Sequence, residues 1–212
     1  MPDTQSHRLL GSKGCGNAIV EAAFAVAGIP LDYEEVDYEA GSPTRGRLLE
    51  VNPLGQVPTL VLPDGRILTE SLAMIHYLAD LAPQAGLIPA RDDPARAAFH
   101  RWSVFVVTAI YPTYTYGDAP AKWVEDTEGA KQLRESTDRH RKALWQQVEE
   151  QAIVGPWFLG SRMTALDLYV AAMTRWRPGR PWFSANTPKL VAIAEKTSAT
   201  AGVADVMKRN FD

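Results

Sequence analysis

Gln56-Val57-Pro58-Thr59-Leu60-Val61-Leu62-Pro63-Asp64-Gly65-Arg66-Ile67-Leu68-Thr69-Glu70-Ser71 is the stretch on which the reading of this chain turns. Thr59 to Leu62 is a short run of strand-forming residues, and Pro63-Asp64-Gly65-Arg66 has the composition of a turn with glycine late in it. Ile67-Leu68 returns as a second strand. Glu70-Ser71 then opens a helix, with Leu72, Ile75, His76 and Ala79 near helical spacing. Pro58, at the mouth of the first strand, removes a ladder donor and confines Val57 to extended geometry, which leaves the Val57 main chain free for another partner.

Upstream, Arg8-Leu9-Leu10 reads as an opening strand, followed by the glycine-dense turn Gly11-Ser12-Lys13-Gly14-Cys15-Gly16-Asn17. A helix is expected from Asn17 to Ala27, with Ile19, Ala22, Ala23 and Val26 on one side and Gly28 as its cap. Leu31 to Asp37 has a strand's composition, and Thr44 to Val51 makes a helix with little apolar face. The stretch Met1 to His7 is polar and expected to be loose.

Downstream, two prolines and a glycine between Ala82 and Pro89 mark a linker, after which helical patterns take over. Asp93-Pro94 opens a helix carrying Phe99, Trp102, Phe105, Val106 and Ile110, which Pro112 should kink or end near Tyr111. A long charged helix follows from Thr127 to Gln151. Thr164-Ala165-Leu166-Asp167 is a capping-box-like start to an apolar helix reaching about Arg175. Pro188 to Thr197 and Val203 to Asn210 complete the series. The expected domains are 1–82, a linker 83–92, and an all-helical 93–212.

The chain has 212 residues with 46% hydrophobic and 22% charged side chains, a balance suited to a globular protein with a substantial core. A net charge of −3 gives no case for nucleic acid, which calls for a concentrated basic face. No apolar run reaches membrane-spanning length, and no amino-terminal signal pattern is found. The one cysteine, Cys15, rules out an internal disulfide and suits a reducing compartment, so the expected location is the cytoplasm. No histidine–carboxylate spacing suggests a metal site.

Asn52-Pro53-Leu54-Gly55-Gln56-Val57-Pro58-Thr59-Leu60, with Asp64-Gly65 and Leu68-Thr69-Glu70-Ser71, resembles the glutathione-binding half of the glutathione S-transferase family of cytosolic type. The segment Leu9 to Gly28 and the helix-rich remainder also fit, so the resemblance covers nearly the whole chain. It implies an α/β plus all-α architecture: an amino-terminal thioredoxin-like domain with a four-stranded mixed sheet, then a carboxy-terminal helical bundle. It further implies a detoxifying transferase, active as a homodimer, that takes glutathione as co-substrate and a small hydrophobic electrophile as partner.

Glutathione is an extended tripeptide with two carboxylates and a free amine, and a protein can hold it by main-chain pairing and by a helix N-terminus. Gln56, Val57 and Pro58 suit the first task. Ser71 suits the second, and Glu70 can accept from the ligand's ammonium group. The family activates the glutathione sulfur from a residue near the end of the first strand, but its usual serine or cysteine position falls on Gly14. Ser12, Cys15 and Asn17 are therefore the candidates. A thiol near a helix N-terminus, with Lys13 close by, gives Cys15 the first claim and opens a glutathione-dependent disulfide reductase as the alternative chemistry. A non-catalytic binding protein on the same scaffold is the rival from another class. Tyr111, Tyr114, Tyr116 and Trp123 offer apolar walls with polar tips for the electrophile, which is expected between the two domains.

Overall fold

The computed structural model describes residues 6–39, 41–152 and 155–212. The chain divides into two compact units, Met1–Ala90 with Glu195–Asp212, and Arg91–Ala194.

The first unit is built on four strands, β1 (His7–Gly11), β2 (Leu31–Glu35), β3 (Thr59–Val61) and β4 (Ile67–Leu68), in the order β2-β1-β3-β4. β1 runs parallel to β2 and antiparallel to β3, and β4 is antiparallel to β3, so the sheet is mixed. His7 thus belongs to the first strand rather than to a loose lead-in; residues 1–5 lie outside the described residues. Helix α1 (Asn17–Ala27) provides the crossover between the parallel strands, and Gly28 ends it in the left-handed conformation at φ 67°. α2 (Arg45–Val51) covers one face of the sheet, where Leu48 packs with Leu10 and Val36, flanked by Val51, Val57 and Val61. Leu9 pairs with Leu60, and strand alternation turns both to the opposite face.

α3 (Ser71–Leu81) buries Met74, Ile75 and Leu78. This differs from the face expected from sequence: Leu72, His76 and Ala79 are only partly buried. The helix packs against α1, and the 74/75/78 stripe is the one that fits that contact. The last helix of the chain, α10 (Val203–Phe211), also packs against α1 and belongs to the first unit despite following the helical half in sequence.

The second unit is helical: α4 (Arg96–Phe105), α5 (Tyr111–Asp118), α6 (Thr127–Gln151), α7 (Ala165–Met173), α8 (Arg180–Asn186) and most of α9 (Pro188–Ser198). Pro112 does not end the helical run. Residues Val106–Ile110 form a π-turn in which the Tyr111 N–H reaches the Val106 carbonyl five residues back, and Pro112 enters at the start of α5. A widened turn accommodates a residue with no N–H to give. α7 is buried along its whole length. Its Asp167 side chain accepts the Thr164 N–H at 2.7 Å and the Thr164 hydroxyl at 3.1 Å, so the expected carboxylate cap is formed. Each large apolar side chain on α7 contributes about 1.5–3 kcal/mol by leaving water, which makes this helix the centre of the unit.

Candidate functional site

Strand register brings three separated segments to one end of the sheet. Leu10 pairs with Thr59, so the turn leaving β1 lies beside the 56–58 segment entering β3. Leu60 pairs with Leu68, so β4 runs back to the same end and delivers Glu70 and Ser71 there.

The turn leaving β1 is closed by the Cys15 N–H donating to the Ser12 carbonyl at 3.1 Å, with Gly14 at its third position at φ 75°. Ser12 and Cys15 are both partly exposed, and Cys15 forms no disulfide. Asn17 is fully buried. Its Oδ1 accepts the Ser12 N–H at 3.1 Å, and its Nδ2 donates to Glu21 Oε1 at 2.8 Å and to Asn210 Oδ1 at 3.3 Å. Gly11 is needed for this approach, because a Cβ there would stand 2.6 Å from Asn17 Cγ. Of the three candidates for sulfur, two line the turn and the third is engaged in holding it.

The entry to β3 is organised by Asn52, which is buried. Its Nδ2 donates to the Gln56 carbonyl at 3.2 Å and to Thr59 Oγ1 at 3.0 Å, while its Oδ1 accepts the Leu54 N–H at 3.1 Å. Thr59 donates to the same Gln56 carbonyl at 2.8 Å. The Gln56 side chain remains exposed, the Val57-Pro58 peptide bond is cis, and Val57 lies outside the strand pairs, which begin at Thr59.

Glu70 has φ 66° and ψ 110°, and among the described residues it alone, apart from glycines, has a positive φ. A side chain with a Cβ holds that geometry only where the surrounding chain enforces it. The conformation directs the chain into α3, whose first residue is Ser71. An exposed carboxylate and a hydroxyl therefore stand together at the positive end of an 11-residue helix.

In the second unit the four aromatic candidates separate into two groups. Tyr111 and Tyr114, three residues apart on α5, form edge-on contacts with Trp176 at 5.4 and 5.2 Å. Tyr116 lies toward another side of the helix, exposed, with Trp123 4.7 Å away, also exposed. Tyr114 is buried, and burial pushes its phenol up to about 12, against the pull of Trp145 and Arg141. Among the described residues no group of three or more His, Cys, Asp or Glu is placed to hold a metal. No helix among them is long and apolar enough to cross a membrane.

Residues 19–81 match the family model for the glutathione S-transferase N-terminal domain. An uncharacterised GST-like protein of Escherichia coli K12, YncG, is 34% identical over 206 residues, covering 96% of this chain and 98% of its own. The chain belongs to the glutathione S-transferase family. A glutathione transferase homolog from Sulfitobacter, solved with bound glutathione, superposes with a TM-score of 0.87 at 26% identity, covering 98% of this chain and 99% of the homolog. A sphingomonad glutathione S-transferase complexed with glutathione gives a TM-score of 0.76 at 25% identity, covering 95% and 97%.

Within this transferase-family fold, sequence reading quoted Asn52 without giving it a role and passed over Glu21 and Asn210. Glu21 and Asn52 carry a local signal, a polar residue inside an apolar pattern. Asn210 had none, because its partners lie nearly two hundred positions away.

Proposed function

We propose that the protein is a glutathione transferase that conjugates glutathione to a small apolar electrophile. Main-chain groups at Val57, beside Gln56 and Pro58, would pair with the middle of the tripeptide. Ser71 and the α3 amino terminus would receive one carboxylate, and Glu70 the ammonium group. The observation that carries this reading is the positive φ of Glu70 at the start of α3, since a strained non-glycine residue beside a helix N-terminus marks a ligand clamp more readily than a packing need. The bound glutathione of the Sulfitobacter homolog supports the same ligand class.

Sulfur activation is assigned to the Ser12–Cys15 turn, with Asn17 holding the turn from below. The electrophile is assigned to aromatic surface of the second unit, with Tyr111, Tyr116 and Trp123 supplying accessible rings and Tyr114 a buried backing. A homodimer in the cytoplasm, with a role in detoxification, completes the proposal; a single, unbridged cysteine supports the compartment. The partly exposed Cys15 thiol favours one second reading, a glutathione-dependent disulfide reductase forming a mixed disulfide at Cys15.

Calorimetric titration with reduced glutathione tests the binding step. Micromolar to millimolar affinity, weakened about tenfold in Ser71→Ala and in Glu70→Gln, is the expected result. Absence of binding by the folded protein would overturn the proposal. Turnover of an apolar electrophile that persists in Cys15→Ala would assign sulfur activation to Ser12; a mixed disulfide lost in that variant would favour the reductase.

A further inference from the structure

A closed hydrogen-bond network links the last helix of the chain to the turn that carries Ser12 and Cys15. Asn210 on α10 is buried. Its Oδ1 accepts the Gly14 N–H at 3.4 Å and Asn17 Nδ2 at 3.3 Å. Its Nδ2 donates to Glu21 Oε1 at 3.3 Å and to the Val206 carbonyl at 3.0 Å. Glu21, buried on α1, also accepts Asn17 Nδ2 at 2.8 Å through Oε1, and its Oε2 pairs with Arg209.

Every polar group of the two amides is used. Both protons of each Nδ2 have an acceptor, and both Oδ1 atoms accept main-chain N–H groups of the turn: Ser12 by Asn17, Gly14 by Asn210. The amide orientations are fixed by this pattern. Reversing Asn210 would set its NH2 against the Gly14 N–H and the Asn17 NH2, and reversing Asn17 would set donor against donor at Ser12. A fully satisfied buried network of this kind admits one geometry and makes departures from it costly.

We propose that Asn210 is a positioning residue, through which α10 sets the geometry of the Ser12–Cys15 turn and with it the reactivity of the groups the turn presents. Gly14, at φ 75° and without a side chain, adds no packing of its own to a turn whose local closure is the Cys15 N–H to Ser12 carbonyl bond, so its N–H is held from α10. The functional consequence rests on the reading of this turn as the sulfur-facing element, but the coupling of α10 to the turn does not.

Cys15, the only cysteine, is a built-in reporter. Its alkylation by iodoacetamide is measured across pH 6–10 in the full chain, and the midpoint of the pH–rate curve is read, because the plateau also reports access. A held turn keeps the thiolate near the amino terminus of α1, and a released turn loses that stabilisation. In Asn210→Ala the midpoint moves toward that of the urea-unfolded chain, with a two- to fivefold fall in rate near neutrality, on the order of one helix-terminus interaction. Val203→Ala, which removes a buried apolar side chain from the first turn of α10 and leaves every member of the network in place, keeps the midpoint where it is. Should Asn210→Ala not fold, Asn210→Asp retains the acceptor for Gly14 but opposes Glu21, and a midpoint shift smaller than the urea-unfolded limit is expected. Superposition of the Asn210→Ala and wild-type curves, or an equal shift in Val203→Ala, would overturn the proposal. Glutathione titration of the same proteins is separate: a wild type that binds none removes the transferase reading and leaves the thiol result standing.

Discussion

The carboxylate of Asp167 reaches back nine residues to accept the backbone N–H of Phe158 at 2.8 Å, while the same side chain caps its own helix at Thr164. One buried acid thereby joins the loop before α7 to the helix it begins. Burial holds its carboxyl above the usual carboxylate range, opposed by those hydrogen bonds. Asp167→Ala leaves the N–H groups of Phe158 and Thr164 without an acceptor in the interior and should cost about 2–4 kcal/mol. The six tryptophans all fall between residues 102 and 182, inside the second unit, so their fluorescence reports that unit. An earlier urea midpoint by tryptophan emission is the expected outcome; an unchanged midpoint would remove Asp167 from the folding of this unit.

Glu70 sets local stability against ligand binding. Glycine adopts a positive φ without the Cβ penalty, so Glu70→Gly should raise the thermal stability of the first unit by up to ~1 kcal/mol. The same change removes the carboxylate assigned to the glutathione ammonium group, so affinity should fall about tenfold. Circular dichroism melting and calorimetry read the two effects on one variant. A protein that is both less stable and equally able to bind glutathione would contradict the role given to this residue.

Arg141 is a fully buried cation with its valences filled. Nε donates to Thr113 Oγ1 and Nη2 to the Thr113 carbonyl, both at 2.9 Å, Nη1 meets Asp138 at 2.9 Å, and the guanidinium lies 3.9 Å over the Tyr114 ring. A lysine has one point of charge and cannot reproduce either the fork or the stacked plane. Arg141→Lys should therefore destabilise the second unit by about 2–4 kcal/mol, and Arg141→Met by a similar amount, because the Thr113 carbonyl loses its side-chain donor and Asp138 keeps only Arg177. Urea unfolding followed by tryptophan emission separates these values from a surface effect, which stays within about 0.5 kcal/mol.

Local chemistry was legible in the sequence wherever it was decided locally. The Thr127–Gln151 helix, the Asn17–Ala27 helix with its Gly28 cap, and the Thr164/Asp167 cap follow from spacing and capping residues a few positions apart. The 56–71 stretch announced its strands and turn for the same reason. The fate of Pro112 was not legible, since a π-turn depends on how the preceding helix is packed and leaves no mark in composition. Nor was the buried stripe of α3, chosen by α1 rather than by the strongest apolar residues of α3 itself. At the candidate site, the place of Glu70 and Ser71 at the opening of α3 could be read from position. The polar network that fixes the turn could not, because Asn210 becomes a partner of Gly14 and Asn17 only after α10 returns to the first unit.

Tyr114 offers a test in the alkaline range. Trp145 lies close enough to pull on the phenol, but neither its indole nitrogen nor the Tyr114 hydroxyl has a partner at full hydrogen-bonding geometry, so the phenol gains little from its polar tip. Near neutral pH, Tyr114→Phe should leave stability within about 1 kcal/mol of wild type or raise it, since an unsatisfied buried hydroxyl is removed. At high pH the two proteins diverge. The native phenol titrates at about 12, against 10 for an ordinary tyrosine, so between these values the unfolded chain has lost a proton that the native protein retains. Stability is then fully present below pH 10 and falls as the pH rises toward 12, by about 2–3 kcal/mol from this residue. Tyr114→Phe lacks that loss, and its unfolding midpoint, read by tryptophan emission from pH 9 to 12, should decline less steeply than that of wild type. Parallel curves would mean that the phenol ionises equally in both states, and the buried backing assigned to Tyr114 in the electrophile surface would have to be given up.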